Sequence, residues 1–236
     1  MSVIQGIQNN MTFPFGIGVA RGEYDKLSGI QKFGYNPGVG ATDETVWSAG
    51  GVYAYISTAG TASVTTSSTD DNGGTVEIQG LDSDYNLQTV TATIAGSATV
   101  ETFIRVFRVI MITPGTGQTT NVGNITVTVD STTAGFITAG QGQSLQAVYT
   151  VPANYRAYLL SVVSGTEKEK EVTTKLLARP TGGSFNTKTY ETSRGRMLRQ
   201  YLINEVFDSK TDIELRVNAD ADTGISGGFE LLLEEK

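Results

Sequence analysis

The sequence predicts an all-β protein whose antiparallel strands form a β-sandwich or a jelly-roll-like pair of sheets. Short segments of alternating apolar and polar residues recur at intervals of about 8–12 residues, which is the strand spacing of sandwiches and barrels. Turn sequences such as Asp-Asp-Asn-Gly-Gly at residues 70–74 separate these segments, and the chain contains 28 Gly but only 5 Pro. No segment has the clear 3.6-residue periodicity of a long amphipathic helix.

The individual strands follow from two patterns. Val52, Ala54 and Ile56 alternate with tyrosines, as on a strand with one buried face. Residues 103–112 are the most apolar stretch and predict a central strand. For residues 194–206 the pattern also fits a helix, although we favour a strand there. The predicted strands lie at residues 13–19, 52–56, 76–78, 87–94, 103–112, 125–129, 145–151, 155–163, 172–178, 185–191, 197–203, 213–217 and 229–233.

The chain divides into three predicted parts. Residues 1–48 have weak periodicity and many Gly and Asn, so we expect an extended N-terminal arm that lies on another subunit. A turn-rich segment at residues 114–121 separates a first β-domain, residues 49–116, from a second β-sandwich domain, residues 117–236. The alternative is that both sets of strands are two sheets of a single sandwich.

Composition argues against an enzyme. The chain has no Cys and no His, which removes disulfides, thiolate nucleophiles and the side chain most used as general base and zinc ligand. A net charge of −7 disfavours binding to nucleic acid, because an acidic surface repels phosphates. The N-terminus lacks the pattern of a signal peptide, and no apolar run is long enough for a membrane helix, so we expect neither export nor a membrane partner.

Two weak motifs point to ligands and are better explained otherwise. Asp220 and Asp222 resemble the start of a calcium loop, but the twelfth loop position, which should be Glu, is Leu231. Tyr35, Tyr53 and Tyr55 could stack on sugars, although aromatic side chains more often pack sheet faces or subunit contacts. We therefore predict no catalytic, cofactor or metal site.

Candidate interaction residues come from two features. Glu167, Glu169 and Glu171 alternate with lysines, so on a strand the three carboxylates would share one face. That face would be stabilised by cations from a neighbouring strand or subunit, such as Arg194, Arg196 and Arg199; the alternative is a solvated edge that blocks aggregation. The apolar anchors predicted to contact another subunit are Phe13, Phe15, Tyr35 and Trp47.

Several sequence blocks resemble a family of virion structural proteins encoded by tailed bacteriophages, many of them marine. The resemblance spans roughly residues 30–234 and consists of turns and aromatic residues rather than a catalytic signature. The blocks are KFGYNP (32–37), ETVW (44–47), GGVY (50–53), GLDSDYNL (80–87), FIRVFR (103–108), GQGQSL (140–145), YTVP (149–152) and GFEL (228–231).

The resemblance implies a non-enzymatic component of a phage particle, assembled in the host cytoplasm and located in the virion. We expect a capsid decoration or cement protein that binds the major capsid protein and also binds itself, as a trimer. A neck or tail component, such as a tail-tube or fibre-attachment protein, and a carbohydrate-binding adhesin are the alternatives.

Overall fold

A computed structural model describes residues 15–236, and this part of the chain is almost entirely antiparallel β-structure. One short α-helix, α1 (Phe15–Ala20), precedes the strands, and one 3-10 turn spans Thr69–Asp71. The strands are β1 (Leu27–Val39), β2 (Glu44–Thr45), β3 (Gly60–Thr66), β4 (Thr75–Leu81), β5 (Leu87–Thr93), β6 (Thr102–Phe103), β7 (Arg105–Thr113), β8 (Ile125–Val129), β9 (Thr132–Ile137), β10 (Val148–Thr150), β11 (Tyr155–Thr166), β12 (Glu171–Arg179), β13 (Asn186–Arg194), β14 (Arg196–Gln200), β15 (Val206–Phe207), β16 (Asp212–Ala219) and β17 (Thr223–Glu235). The predicted all-β class is confirmed.

Ten strands from the two ends of the chain form the main sandwich. Its first sheet has the order β1-β17-β11-β14, with β15 also paired to β11. Its second sheet has the order β10-β16-β12-β13, and β2 pairs with β16 beside β10. The connections after β1, β10, β11, β13, β15 and β16 all cross between the sheets, whereas β12 and β13 form a hairpin within one sheet.

The remaining strands form a second unit, here called the insertion, which comprises residues 49–146. It contains one sheet of order β6-β3-β8-β9 and another of order β5-β4-β7. The chain leaves the main sandwich after β2 and re-enters it at β10, and Trp47 pairs with Gln146 where these two chain segments meet. In β8, Val127 is buried, whereas its neighbours Thr126 and Thr128 are partly exposed. Successive side chains of a strand point to opposite faces, so this sequence suits a strand with one buried and one exposed face.

The predicted arm is wrong for residues 27–48. Residues 27–39 are β1, which pairs along its length with β17, and residues 44–45 are β2. The inward positions of β1 include Lys32, Gly34 and Asn36, so the strand has almost no apolar alternation to reveal it. Gly34 is needed there because a Cβ would lie 2.0 Å from the carbonyl oxygen of Val46.

The predicted domain boundary near residue 117 is also wrong. Strand β8 pairs with β3, so residues 125–137 belong to the same unit as the strands before the turn. Asp71 holds the turn against that unit, because its carboxylate accepts hydrogen bonds from the backbone amides of Val122 and Gly123 at 2.7 and 2.8 Å. These hydrogen bonds outweigh the effect of burial and lower the pKa of Asp71.

The insertion and the main sandwich share one hydrophobic core, and a buried ion cluster joins them. Arg105 of the insertion donates to both carboxylate oxygens of Asp212 at 2.7 and 3.0 Å. Arg179 donates to the same carboxylate at 2.6 Å, and the hydroxyl of Thr150 donates to it at 2.7 Å. Burial lowers the pKa of Arg105, but hydrogen bonding to Asp212 and its charge outweigh this, and the net shift is upward.

We predict that Asp212→Asn destabilises the protein by about 3–5 kcal/mol, since it leaves the Arg105 guanidinium buried beside a neutral amide. Urea unfolding followed by circular dichroism measures this change. Asp208→Asn is the matched control, because the pair of Asp208 with Arg156 is exposed and such pairs contribute about 0–1 kcal/mol. Equal effects of both substitutions would contradict the role of the cluster.

A second buried cation, Lys32, lies at the same junction without a carboxylate partner. Its ammonium donates to the carbonyl oxygen of Phe107 and lies 5.7 Å from the centre of that ring. Burial, followed by repulsion from Arg108, lowers the pKa of Lys32 well below its ordinary 10.5. The folded protein therefore holds this proton less tightly than the unfolded chain does.

We predict that wild-type stability rises with pH in the window between the lowered pKa of Lys32 and about 10.5, because there the unfolded chain binds more protons. Lys32→Met should remove this part of the slope and raise the melting temperature at neutral pH. Melting curves from pH 6 to pH 10 test this, with Lys168→Met, an exposed lysine, as the control. A variant with the wild-type slope would show that Lys32 stays charged.

Candidate assembly surface

The exposed side of the main sandwich is formed by β13 on one sheet and by β14, residues 201–205 and β15 on the other; we call it the free edge. These strands are the outermost members of their sheets. The backbone amide of Tyr201 donates to the carbonyl of Leu160, and the side chain of Asn204 donates to the carbonyl of Leu159 at 2.6 Å. These hydrogen bonds hold residues 201–205 against β11, and this segment interrupts the strand between β14 and β15.

Residues 201–205 expose large apolar side chains to solvent. Leu202 is fully exposed and Ile203 is 91% exposed, although both are large aliphatic residues. Further exposed apolar side chains of the free edge are Tyr190, Leu198 and Val206, and Leu160 is exposed on the neighbouring strand β11. Large exposed aliphatic side chains next to one another in the chain, such as Leu202 and Ile203, are a feature of protein contact sites.

The free edge also carries an excess of cations. Residues 186–207 contain four basic and two acidic side chains, a formal charge of +2. Lys188 pairs with Glu205, and Arg199 pairs with Glu191. Arg196 is exposed and forms no ion pair among the described residues. An apolar patch rimmed by basic groups suits a partner surface with apolar and acidic residues.

The sequence-predicted interaction residues lie elsewhere. Phe13 lies outside the described residues, and Phe15 is half exposed in α1, with its ring 5.0 Å from that of Tyr24. Trp47 is wrong as a surface anchor: it is only 5% exposed and packs edge-on against Tyr53. Tyr35 lies on β1 and donates to Glu167 at 2.6 Å, a hydrogen bond that raises the pKa of the tyrosine.

The three glutamates do not form one row. Glu167 and Glu169 lie in the turn between β11 and β12, and only Glu171 belongs to a strand. Of the expected basic partners, Arg194 faces Glu171 at 3.7 Å, while Arg199 pairs with Glu191 instead. Strand β11 ends at Thr166, so Glu167 and Glu169 lie outside a strand. The predicted alternation of glutamate and lysine side chains between two faces of a strand therefore does not occur.

Residues 15–236 contain no candidate metal-binding group and no helix that could span a membrane. No group of three or more acidic residues in this range could hold a metal ion, which includes the turn at Asp220 and Asp222. Within the same range no helix is long and apolar enough to cross a membrane. Tyr53 is buried and donates to the carbonyl of Val106 at 3.0 Å, and Arg105 and Arg179 lie over the ring of the partly buried Tyr55, so neither tyrosine offers a free face for stacking on a sugar.

Comparison with known proteins gives no family. No protein-family model matches this sequence, and no curated protein matches it either. The function is therefore argued from the geometry of this chain.

We predict that Leu202→Ser with Ile203→Ser weakens self-association at least about tenfold while changing the free energy of unfolding by less than about 0.5 kcal/mol, because both side chains are already in water. Analytical ultracentrifugation and urea unfolding measure the two quantities. Val52→Ser, at another exposed aliphatic residue, is the control. Unchanged association would rule out the free edge as a contact surface between copies.

Proposed function

We propose that this chain is a non-enzymatic structural protein of a tailed-phage particle, and specifically a decoration protein that binds the major capsid shell. The observation that carries the proposal is the order of the strands in the main sandwich and the way they are connected. Counting β2 with β10, and β14 with β15, as single interrupted strands gives eight strand positions in two four-stranded sheets. We interpret this order, with its sheet-crossing connections, as a jelly roll, an architecture used by viral capsid domains.

The distribution of side chains supports a role in contact rather than catalysis. The free edge combines exposed aliphatic residues with cations, as an assembly surface requires. The insertion instead covers its outer faces with hydroxyl groups, for example Thr89, Thr91 and Thr93 along β5. Such a surface is well solvated, so we propose that the insertion faces away from the shell. Self-association as a trimer remains part of the proposal.

A lectin-like adhesin is the second candidate, because jelly rolls also occur in lectins. What disfavours it is that Tyr53 and the single tryptophan are buried, and that Arg105 and Arg179 lie over the ring of Tyr55. A neck or tail component shares the structural role and differs from a decoration protein in copy number and symmetry.

Immunogold electron microscopy of the particles tests the location, and quantitative mass spectrometry tests the copy number. The proposal predicts gold over the whole head and copies in proportion to the major capsid protein. Gold confined to one vertex or to the tail would replace it with the neck or tail role. Absence from purified particles, together with specific binding on a glycan array, would establish the adhesin.

A further inference from the structure

The insertion presents carboxylates to solvent without accompanying cations. Residues 49–146 contain seven carboxylates and two guanidinium groups, a formal charge of −5. Arg105 is buried against Asp212. Arg108 donates to the carbonyl of Gln31 at 3.2 Å and lies over the ring of Phe33, so it is also turned toward the main sandwich. All cations of the insertion are thus used internally.

One side of the insertion combines two of these carboxylates, those of Asp84 and Glu101, with exposed apolar residues and an outermost strand. Strand β5 is the outermost strand of its sheet. Leu87 at its start is half exposed, and Val100 in the following loop is 90% exposed. The side chain of Gln88 donates to the carbonyl of Thr102 at 2.7 Å, which holds that loop beside β5. We call β5 with Asp84, Leu87, Val100 and Glu101 the acidic edge.

We propose that the free edge of one copy binds the acidic edge of a second copy. Both surfaces are outer strands of a sheet with exposed aliphatic side chains, and their charges are opposite. Opposite charge steers the encounter and rejects wrong pairings, while two open strands can join by backbone hydrogen bonds. Ile203 and Val100 are about nine-tenths exposed, so residues 15–236 leave these two side chains accessible to a second copy.

The contact is head to tail, since the two surfaces belong to different parts of the same chain. A two-fold contact between free edges would instead bring together two surfaces of the same net positive charge. Head-to-tail contacts form a closed ring when the rotation between copies allows it, and an open chain otherwise. This contact goes beyond the proposed function, because it does not depend on the shell or on any other partner.

Charge reversal tests the contact. One variant carries Arg196→Glu with Arg199→Glu, and the other carries Asp84→Lys with Glu101→Lys. Among residues 15–236 neither Asp84 nor Glu101 takes part in an ion pair, and all four side chains are exposed, so both variants should fold, which circular dichroism checks. We expect wild-type protein at low salt to form oligomers by mass photometry, and each variant alone to appear as the 25.1 kDa monomer, at least about tenfold weaker in association.

Mixing the two variants should restore association, in dimers and other even-numbered oligomers, because only contacts between unlike variants then pair opposite charges. Free-edge reversal that abolishes association while acidic-edge reversal has no effect would overturn the proposal, and would indicate contact between free edges. A wild-type chain that stays monomeric at ten micromolar and low salt would also overturn it. None of these outcomes bears on location in the particle, so the proposed function is tested separately.

Discussion

The carboxylate of Asp212 is the constraint on which the arrangement of this molecule depends. It lies at the start of β16 in the main sandwich, and it binds Arg105 of the insertion together with Arg179. A buried carboxylate is tolerated only when its oxygens are fully hydrogen-bonded, so the positions of both guanidinium groups are narrowly defined. The aromatic rings of Tyr55 and Tyr85 lie over Arg105 and complete the enclosure.

This constraint determines how the two surfaces of the chain are presented. Since the insertion is joined to the sandwich by a shared core and a buried ion cluster, it is not a separate domain on a linker. The free edge and the acidic edge therefore keep a fixed relation to each other. A fixed relation is what a protein needs if its contacts are to close into a symmetric assembly rather than form irregular aggregates.

The strand content was predictable because most strands follow period-two alternation. Strands β8 and β16 show buried aliphatic residues at the expected positions. Strand β1 could not be recognised, because its inward residues act through specific contacts: Asn36 donates to the carbonyl of Thr45 at 3.1 Å, and Lys32 reaches across to the insertion. The sequence also could not show that the insertion interrupts the main sandwich. That arrangement depends on β2 and β10 pairing with the same strand, β16, and no local sequence pattern indicates this pairing.

The candidate surface was only partly predictable. Sequence reasoning named Arg194, Arg196 and Arg199 as cations for the row of glutamates at 167–171, but of these only Arg194 faces one of those glutamates, Glu171, at 3.7 Å. It missed Leu202 and Ile203, because two aliphatic residues in an apparent strand suggest burial. The sequence feature that best indicated their exposure was the polar pair Asn204-Glu205 that follows them. The strand is interrupted there, where the side chain of Asn204 donates to the backbone of β11.

Hydrogen exchange followed by mass spectrometry, on the wild-type chain at nanomolar and at tens of micromolar concentration, tests the central claim that the chain works by contact through its free edge. The account predicts slower exchange in residues 196–207 and in β5 at the higher concentration, with no change in the buried strands. Exchange that is the same at both concentrations in these segments, with oligomers present, would contradict it.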